Sequence, residues 1–265
     1  MLKKLLKYNL KNQFKFFGIL YGLIIFNAVI AYLLSLINDT PAIIVFLKDF
    51  CAGAMWAMIA NAFINNILRV WHESRRSVYG DESYLMHTLP VKSSTIYWSK
   101  FLGALTILVA NTIVSIAGVF ITYANTGFIE WVKNFLSQIS STVDITVPAY
   151  AILLGAILFL EIFNIIAIGF LAMIIGHKKN NNKVAWSVGF GFAIYMISQM
   201  IIIAAFAMSG IFNSEMFGLF NGTGSSFDPQ TTKTMLIESC LAYTAIIALT
   251  SVISAKMLNR GFDID

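Results

Sequence analysis

Glu161 and Asn164 are the residues of this sequence whose setting most needs a chemical reason, because both stand inside the apolar run ILLGAILFLEIFNIIAIGFL, residues 152–171. A spacing of three puts them on nearly one face of a helix. The run holds fourteen Ile, Leu and Phe residues, which favour membrane insertion by roughly 4–8 kcal/mol in sum, against about 3 kcal/mol for one central acid. Glu161 therefore does not stop the run from crossing a bilayer, but it has to face a bundle interior or a wet cavity. Two roles suit a carboxyl there: a substrate-path or proton-linked group, or a hydrogen-bonded packing residue. Asn61 and Asn65 make a second polar pair, at i and i+4 with Asn66 beside them, in another apolar run. Interhelical hydrogen bonding is their ordinary use. With Glu161 and Asn164 they form the candidate substrate path.

Other chemistry finds little footing. The segment HESRR, His72 to Arg76, opens like a zinc-protease helix but lacks the second histidine at i+4, so two ligands cannot share a metal there. His72, His87 and His177 are far apart in sequence. No nucleophile motif and no G-x-x-x-x-G-K-[ST] phosphate loop occurs. The two cysteines, Cys51 and Cys240, suit buried apolar thiols better than a disulfide. The expectation is a chain that is not an enzyme, with no catalytic residue, cofactor or metal site of its own.

The elements that position these residues follow from composition. Of 265 residues 58% are hydrophobic and 12% charged, with mean hydropathy +0.77, far below the roughly 25% charge of soluble domains. The apolar runs cover about 17–38, 43–70, 101–124, 149–176, 184–209 and 234–257, each long enough to cross hydrocarbon as a helix. They are apolar all round, whereas transmembrane strands alternate. The sequence predicts an all-α, polytopic membrane protein with a six-helix transmembrane domain over 17–265.

With a cytoplasmic N-terminus, fifteen of the eighteen Lys and Arg residues fall on the inner side and only Lys48, Lys133 and Lys233 outside. That asymmetry predicts cytoplasmic N- and C-termini and accounts for the net charge of +5 as a topology signal. Over residues 1–16 the lysines at 3, 4, 7, 11 and 15 share one helical face opposite Leu2, Leu5, Leu6 and Phe16, which predicts a separate amphipathic helix lying in the interface. Phe128, Trp131, Val132, Phe135, Leu136 and Ile139 repeat at helical spacing and predict a second such helix outside, either a cover over the bundle's outer mouth or an element that contacts substrate, the cover being the plainer use. Gly18 and Gly22 make one G-x-x-x-G, a weak packing signal. Lys48 and Asp49 mark the outer edge of the second span.

The most polar punctuated stretch is YGDESYLMHTLPVKSSTIYWSK, within a cytoplasmic segment over 71–100. Gly80 permits a tight turn, Asp81 suits a helix N-terminus, and Pro90 closes the short helix that residues 83–89 can form. Ser93 or Ser94 can then cap the helix that enters the third span. Tyr84, Leu85, Met86 and Leu89 suit a groove on a soluble partner, with Asp81 and Glu82 answering basic groups, or else pack back on the bundle.

The pattern G-x-E-x-x-L-x-x-x-L-P followed by a polar cap and a lysine, here Gly80, Glu82, Leu85, Leu89, Pro90 and Lys100, resembles the segment between the second and third spans of type 2 ABC exporter permeases. Six spans, cytoplasmic termini and an N-terminal interfacial helix are shared with that family in layout. The run before the glycine, HESRRSVYG, departs from the family's longer acidic and arginine-containing one. The resemblance implies a coupling helix, carried by Gly80, Asp81, Glu82, Tyr84, Leu85, Leu89 and Pro90, that docks on a separate ATP-binding cassette ATPase subunit. ATP and Mg would be bound by that partner. It further implies a second permease chain, identical or related, a place in the bacterial cytoplasmic membrane, and export of an amphipathic substrate such as a peptide, antibiotic or lipid-like molecule. The rival readings from the residues are an ion-coupled secondary transporter using Glu161 and a non-transporting membrane immunity or scaffold protein. A secondary transporter favours internal repeats with broken helices, and the sequence displays none.

Overall fold

The computed structural model describes residues 2–37, 41–79, 92–125, 127–143, 146–179, 181–212 and 229–259. Among the described residues the structure is seven α-helices with no strand: α1 Leu2–Ser35, α2 Ala42–Tyr79, α3 Ser93–Tyr123, α4 Phe128–Val143, α5 Val147–Gly176, α6 Lys183–Phe212 and α7 Pro229–Asn259. All except α4 are long and apolar enough to cross a membrane. The chain is a multi-pass membrane protein.

The chain divides into two compact units, 1–132 and 133–265. In the first, α1 is the central helix and packs along both α2 and α3, which touch each other less. Its core is Ile24 and Ala28 of α1 against Met55, Ile59 and Ala62 of α2. The second unit repeats the scheme, with α5 central against α6 and α7. There Ile202, Tyr243 and Ile246 form the core with Ile157, Leu160 and Phe206 packed on it. Phe26, Phe50, Ile152 and Phe192 are each more than half exposed. In a bilayer such side chains meet lipid tails as apolar as themselves, so their exposure carries no penalty.

Of residues 1–16, expected as an interfacial helix, those from Leu2 on are helical and continue without a break to Ser35 as α1. At 1.5 Å per residue this helix is about 51 Å long, more than the roughly 30 Å of hydrocarbon. The lysines at 3, 4, 7, 11 and 15 are exposed as the wheel required. The opposite face is drawn into the protein by polar residues. Asn9 and Gln13 are buried, Gln13 Nε2 reaches Oε2 of Glu73 on α2 at 3.5 Å, and Asn9 lies against Gly103 of α3. Arg69 stacks over the Phe16 ring at 4.4 Å, a cation–π contact.

The helix entering the third span begins at Ser93, but its N-cap is Lys92 with no side-chain cap bond, so neither Ser93 nor Ser94 caps it. Gly127 joins α3 to α4 at φ +65°, where a β-carbon is disfavoured. The amphipathic helix expected from Phe128 forms as α4. Among the described residues nothing lies within 4 Å of where a β-carbon at Gly18 or Gly22 would stand. Cys51 and Cys240 are free thiols, half-buried.

Candidate functional site

Glu161 stands midway along α5, in the second unit. Its setting is built by α6, where Tyr195 and Gln199, one turn apart, face the same carboxyl. The Tyr195 hydroxyl donates to Glu161 Oε1 at 2.8 Å, and Gln199 Nε2 donates to the same oxygen at 3.3 Å. Tyr243 of α7, buried in the unit's core, also interacts with this carboxyl. All three helices of the unit thus meet at Glu161. The donors converge because residues four apart on α6 lie on one face, and that face is turned to α5.

The cluster is incomplete on one side. Oε2 of Glu161 is buried with no hydrogen-bond partner among the described residues. Asn164, next along α5, is fully buried, and both its amide oxygen and its amide nitrogen are likewise without a partner there. An unsatisfied buried polar group costs about 1–3 kcal/mol, and water is scarce at membrane depth. One carboxyl oxygen and one whole amide are therefore free to take a proton, a cation or a polar group of a ligand.

The asparagines of the first unit behave differently. Asn65 Nδ2 bonds to the Asn61 backbone carbonyl at 3.0 Å and to the Asn61 side-chain oxygen, and the pair lies on the exposed side of α2. It satisfies itself. The buried member of the trio is Asn66, fully enclosed with its amide unpartnered among the described residues. Buried positions on α2 run Met55, Ile59, Ala62, Asn66, Val70 and Ser74, and this stripe excludes 61 and 65.

Three functional-looking residues, Asn111, Tyr195 and Gln199, have no counterpart in the sequence reading. Asn111 on α3 is buried, accepts the Tyr21 hydroxyl at 2.7 Å and donates to the Ala62 carbonyl at 3.2 Å, which ties α1, α2 and α3 together. Tyr195 and Gln199 carry a signal in the sequence, since they are polar residues at i and i+4 within an apolar span, as Asn61 and Asn65 are. The expected coupling residues Gly80, Asp81, Glu82, Tyr84, Leu85, Leu89 and Pro90 lie outside the described residues, as does His87. His177 Nδ1 sits 2.8 Å from the Met173 carbonyl oxygen at the end of α5. No protein-family model, curated protein or solved structure matches the chain.

Proposed function

We propose that this chain is the membrane permease subunit of an ATP-binding cassette exporter. It works with a separate ATPase subunit that binds ATP and Mg and with a second permease chain, in the cytoplasmic membrane with both termini inside. The observation that carries this reading is the pattern Gly80, Glu82, Leu85, Leu89, Pro90 and Lys100 in the connection between two membrane helices. Supporting it, α2 continues to Tyr79 and α3 starts at Ser93, so a short connection is anchored at both ends by long helices. Near those helix ends, Gln13 Nε2 of α1 reaches Oε2 of Glu73 on α2 at 3.5 Å, and α1 packs along both α2 and α3. Movement of either flanking helix end is therefore passed to α1, which packs along both. The substrate is an amphipathic molecule, a peptide, antibiotic or lipid-like compound.

The test is purification of the tagged protein from its native membrane in mild detergent, wild type beside Glu82→Lys and Leu85→Asp, with mass spectrometry of co-purifying chains. An ATPase carrying a phosphate-loop motif is expected with wild type and lost in both variants, while membrane insertion stays normal. An ATPase retained by both variants counts against docking through this segment. One observation favours a second reading, an ion-coupled secondary transporter: the Glu161 carboxyl with one oxygen unpartnered inside a membrane helix bundle. Transport in vesicles of the purified chain, driven by an ion gradient with no ATPase present and lost in Glu161→Gln, would put that reading first.

A further inference from the structure

A cleft of about 570 Å³ opens in the first unit at the end remote from the N-terminus of α1. Its floor is small, with Ala31 from α1 and Ala52 and Gly53 from α2. Nothing lies within 4 Å of where a Gly53 β-carbon would stand, so the space exists because α2 carries no side chain there. One wall is continuous aromatic surface. Trp56 Nε1 donates to the Tyr123 hydroxyl at 3.0 Å, the Tyr123 and Phe128 rings are 4.5 Å apart, and Phe128 and Trp131 stack at 5.9 Å. At the rim Lys48 Nζ and Asp49 Oδ1 are 3.7 Å apart, with side chains 34% and 68% exposed. Such a long, exposed ion pair is worth about 0–1 kcal/mol, so both charges exchange readily for those of a ligand.

We propose that this cleft binds the headgroup of a zwitterionic phospholipid, with the ammonium against Asp49 and the aromatic faces and the phosphate on Lys48. Aromatic faces attract an ammonium group most strongly when it is desolvated, and four rings in sequence offer that surface. Adjacent opposite charges match a head that carries both signs, where a purely cationic or purely anionic head leaves one of them opposed. The cleft is at the ends of membrane-spanning helices, near the start of α2 and the close of α3, where headgroups and interfacial Trp and Tyr belong. Phe46 and Phe50, three residues before Asp49 and Gly53 on the same helix, are stacked and more than 60% exposed, which supplies a surface for the acyl chains. Helix α4 contributes Phe128 and Trp131 to this wall. The proposal stands apart from the transport reading.

The experiment is a titration of the full chain in an uncharged maltoside detergent with dihexanoyl phosphatidylethanolamine, followed by tryptophan fluorescence and repeated with dihexanoyl phosphatidylglycerol and with phosphorylethanolamine, which has no acyl chains. Wild type is expected to bind the zwitterionic lipid saturably and about tenfold or more tighter than the anionic one. Gly53→Leu, which fills the space, is expected to raise Kd about tenfold or more, with circular dichroism unchanged. Asp49→Lys keeps the cleft open and is expected to turn the preference toward phosphatidylglycerol. Equal affinity for the two lipids in wild type, or wild-type affinity in folded Gly53→Leu, overturns the proposal. Phosphorylethanolamine bound as tightly as the lipid overturns the phospholipid assignment in favour of a water-soluble zwitterion.

Discussion

The phenolic hydroxyl of Tyr195 on α6 lies 2.8 Å from Oε1 of Glu161 on α5 and closes the second unit around a polar centre. With the Gln199 amide, which donates to the same oxygen at 3.3 Å, it joins two helices within largely apolar packing. Its partner oxygen, Oε2, has no such donor among the described residues.

Substitutions at Glu161 should separate its packing role from any role in transport. Glu161→Gln retains an oxygen acceptor for Tyr195, so thermal unfolding in detergent should change little. Glu161→Leu removes that acceptor and strands the Tyr195 hydroxyl and the Gln199 amide, and it should destabilise by about 1–3 kcal/mol. Tyr195→Phe in the Glu161→Leu background should recover part of the loss. If Glu161→Gln unfolds as readily as Glu161→Leu, the hydrogen-bond account of this cluster fails.

In the first unit the corresponding tie is Asn111. Asn111→Leu should weaken all three helix contacts by breaking the bonds to Tyr21 and Ala62, whereas Tyr21→Phe removes one. Hydrogen bonds between membrane helices average about 0.6 kcal/mol and reach about 1.7, so the expected losses are about 1–3 and about 0.5–1.7 kcal/mol. A double-mutant cycle between positions 21 and 111 should show coupling. Additive effects would mean that the Tyr21 hydroxyl contributes nothing through Asn111.

Two glycines predict opposite responses to a single methyl group. A β-carbon at Gly176 would stand 2.5 Å from the Ser187 backbone nitrogen and 2.6 Å from its α-carbon, while one at Gly103 would meet the Asn9 side-chain amide at 2.7 Å. Backbone cannot retreat without moving α6, but an amide can turn aside. Gly176→Ala should therefore cost about 1–3 kcal/mol and resist rescue by Ser187→Gly. Gly103→Ala should be rescued by Asn9→Ala. Melting temperatures of the four proteins test both statements.

The continuity of α1 is checked at Gly18, where the surrounding space is open. Gly18→Ala should be neutral or stabilising by up to about 1 kcal/mol, because alanine suits a helix interior better than glycine. Gly18→Pro should cost about 3 kcal/mol by breaking the helix between its N-terminal half and the span. If proline is tolerated there, residues 2–16 act as the separate interfacial helix that the lysine pattern suggested.

Membrane class, the six long apolar helices and the amphipathic helix from Phe128 were all legible in the sequence. Each depends on composition summed along a stretch of chain, and a bilayer rewards about 20 apolar residues whatever their neighbours. The lysine face of residues 3–15 was legible as well, but the fate of its opposite face was not. Whether that face meets lipid or protein depends on Asn9 and Gln13 finding Gly103 and Glu73, residues distant in sequence. The candidate site divides along the same line. That Glu161 needed a polar setting followed from its place in an apolar run; that Tyr195 and Gln199 of α6 supply it did not. Asn61, Asn65 and Asn66 are alike in the sequence, and only the rotation of α2 about its axis buries Asn66 and leaves the other two to bond each other. A helix forms from its own residues, but which of its faces is inside is decided by the helices that pack against it.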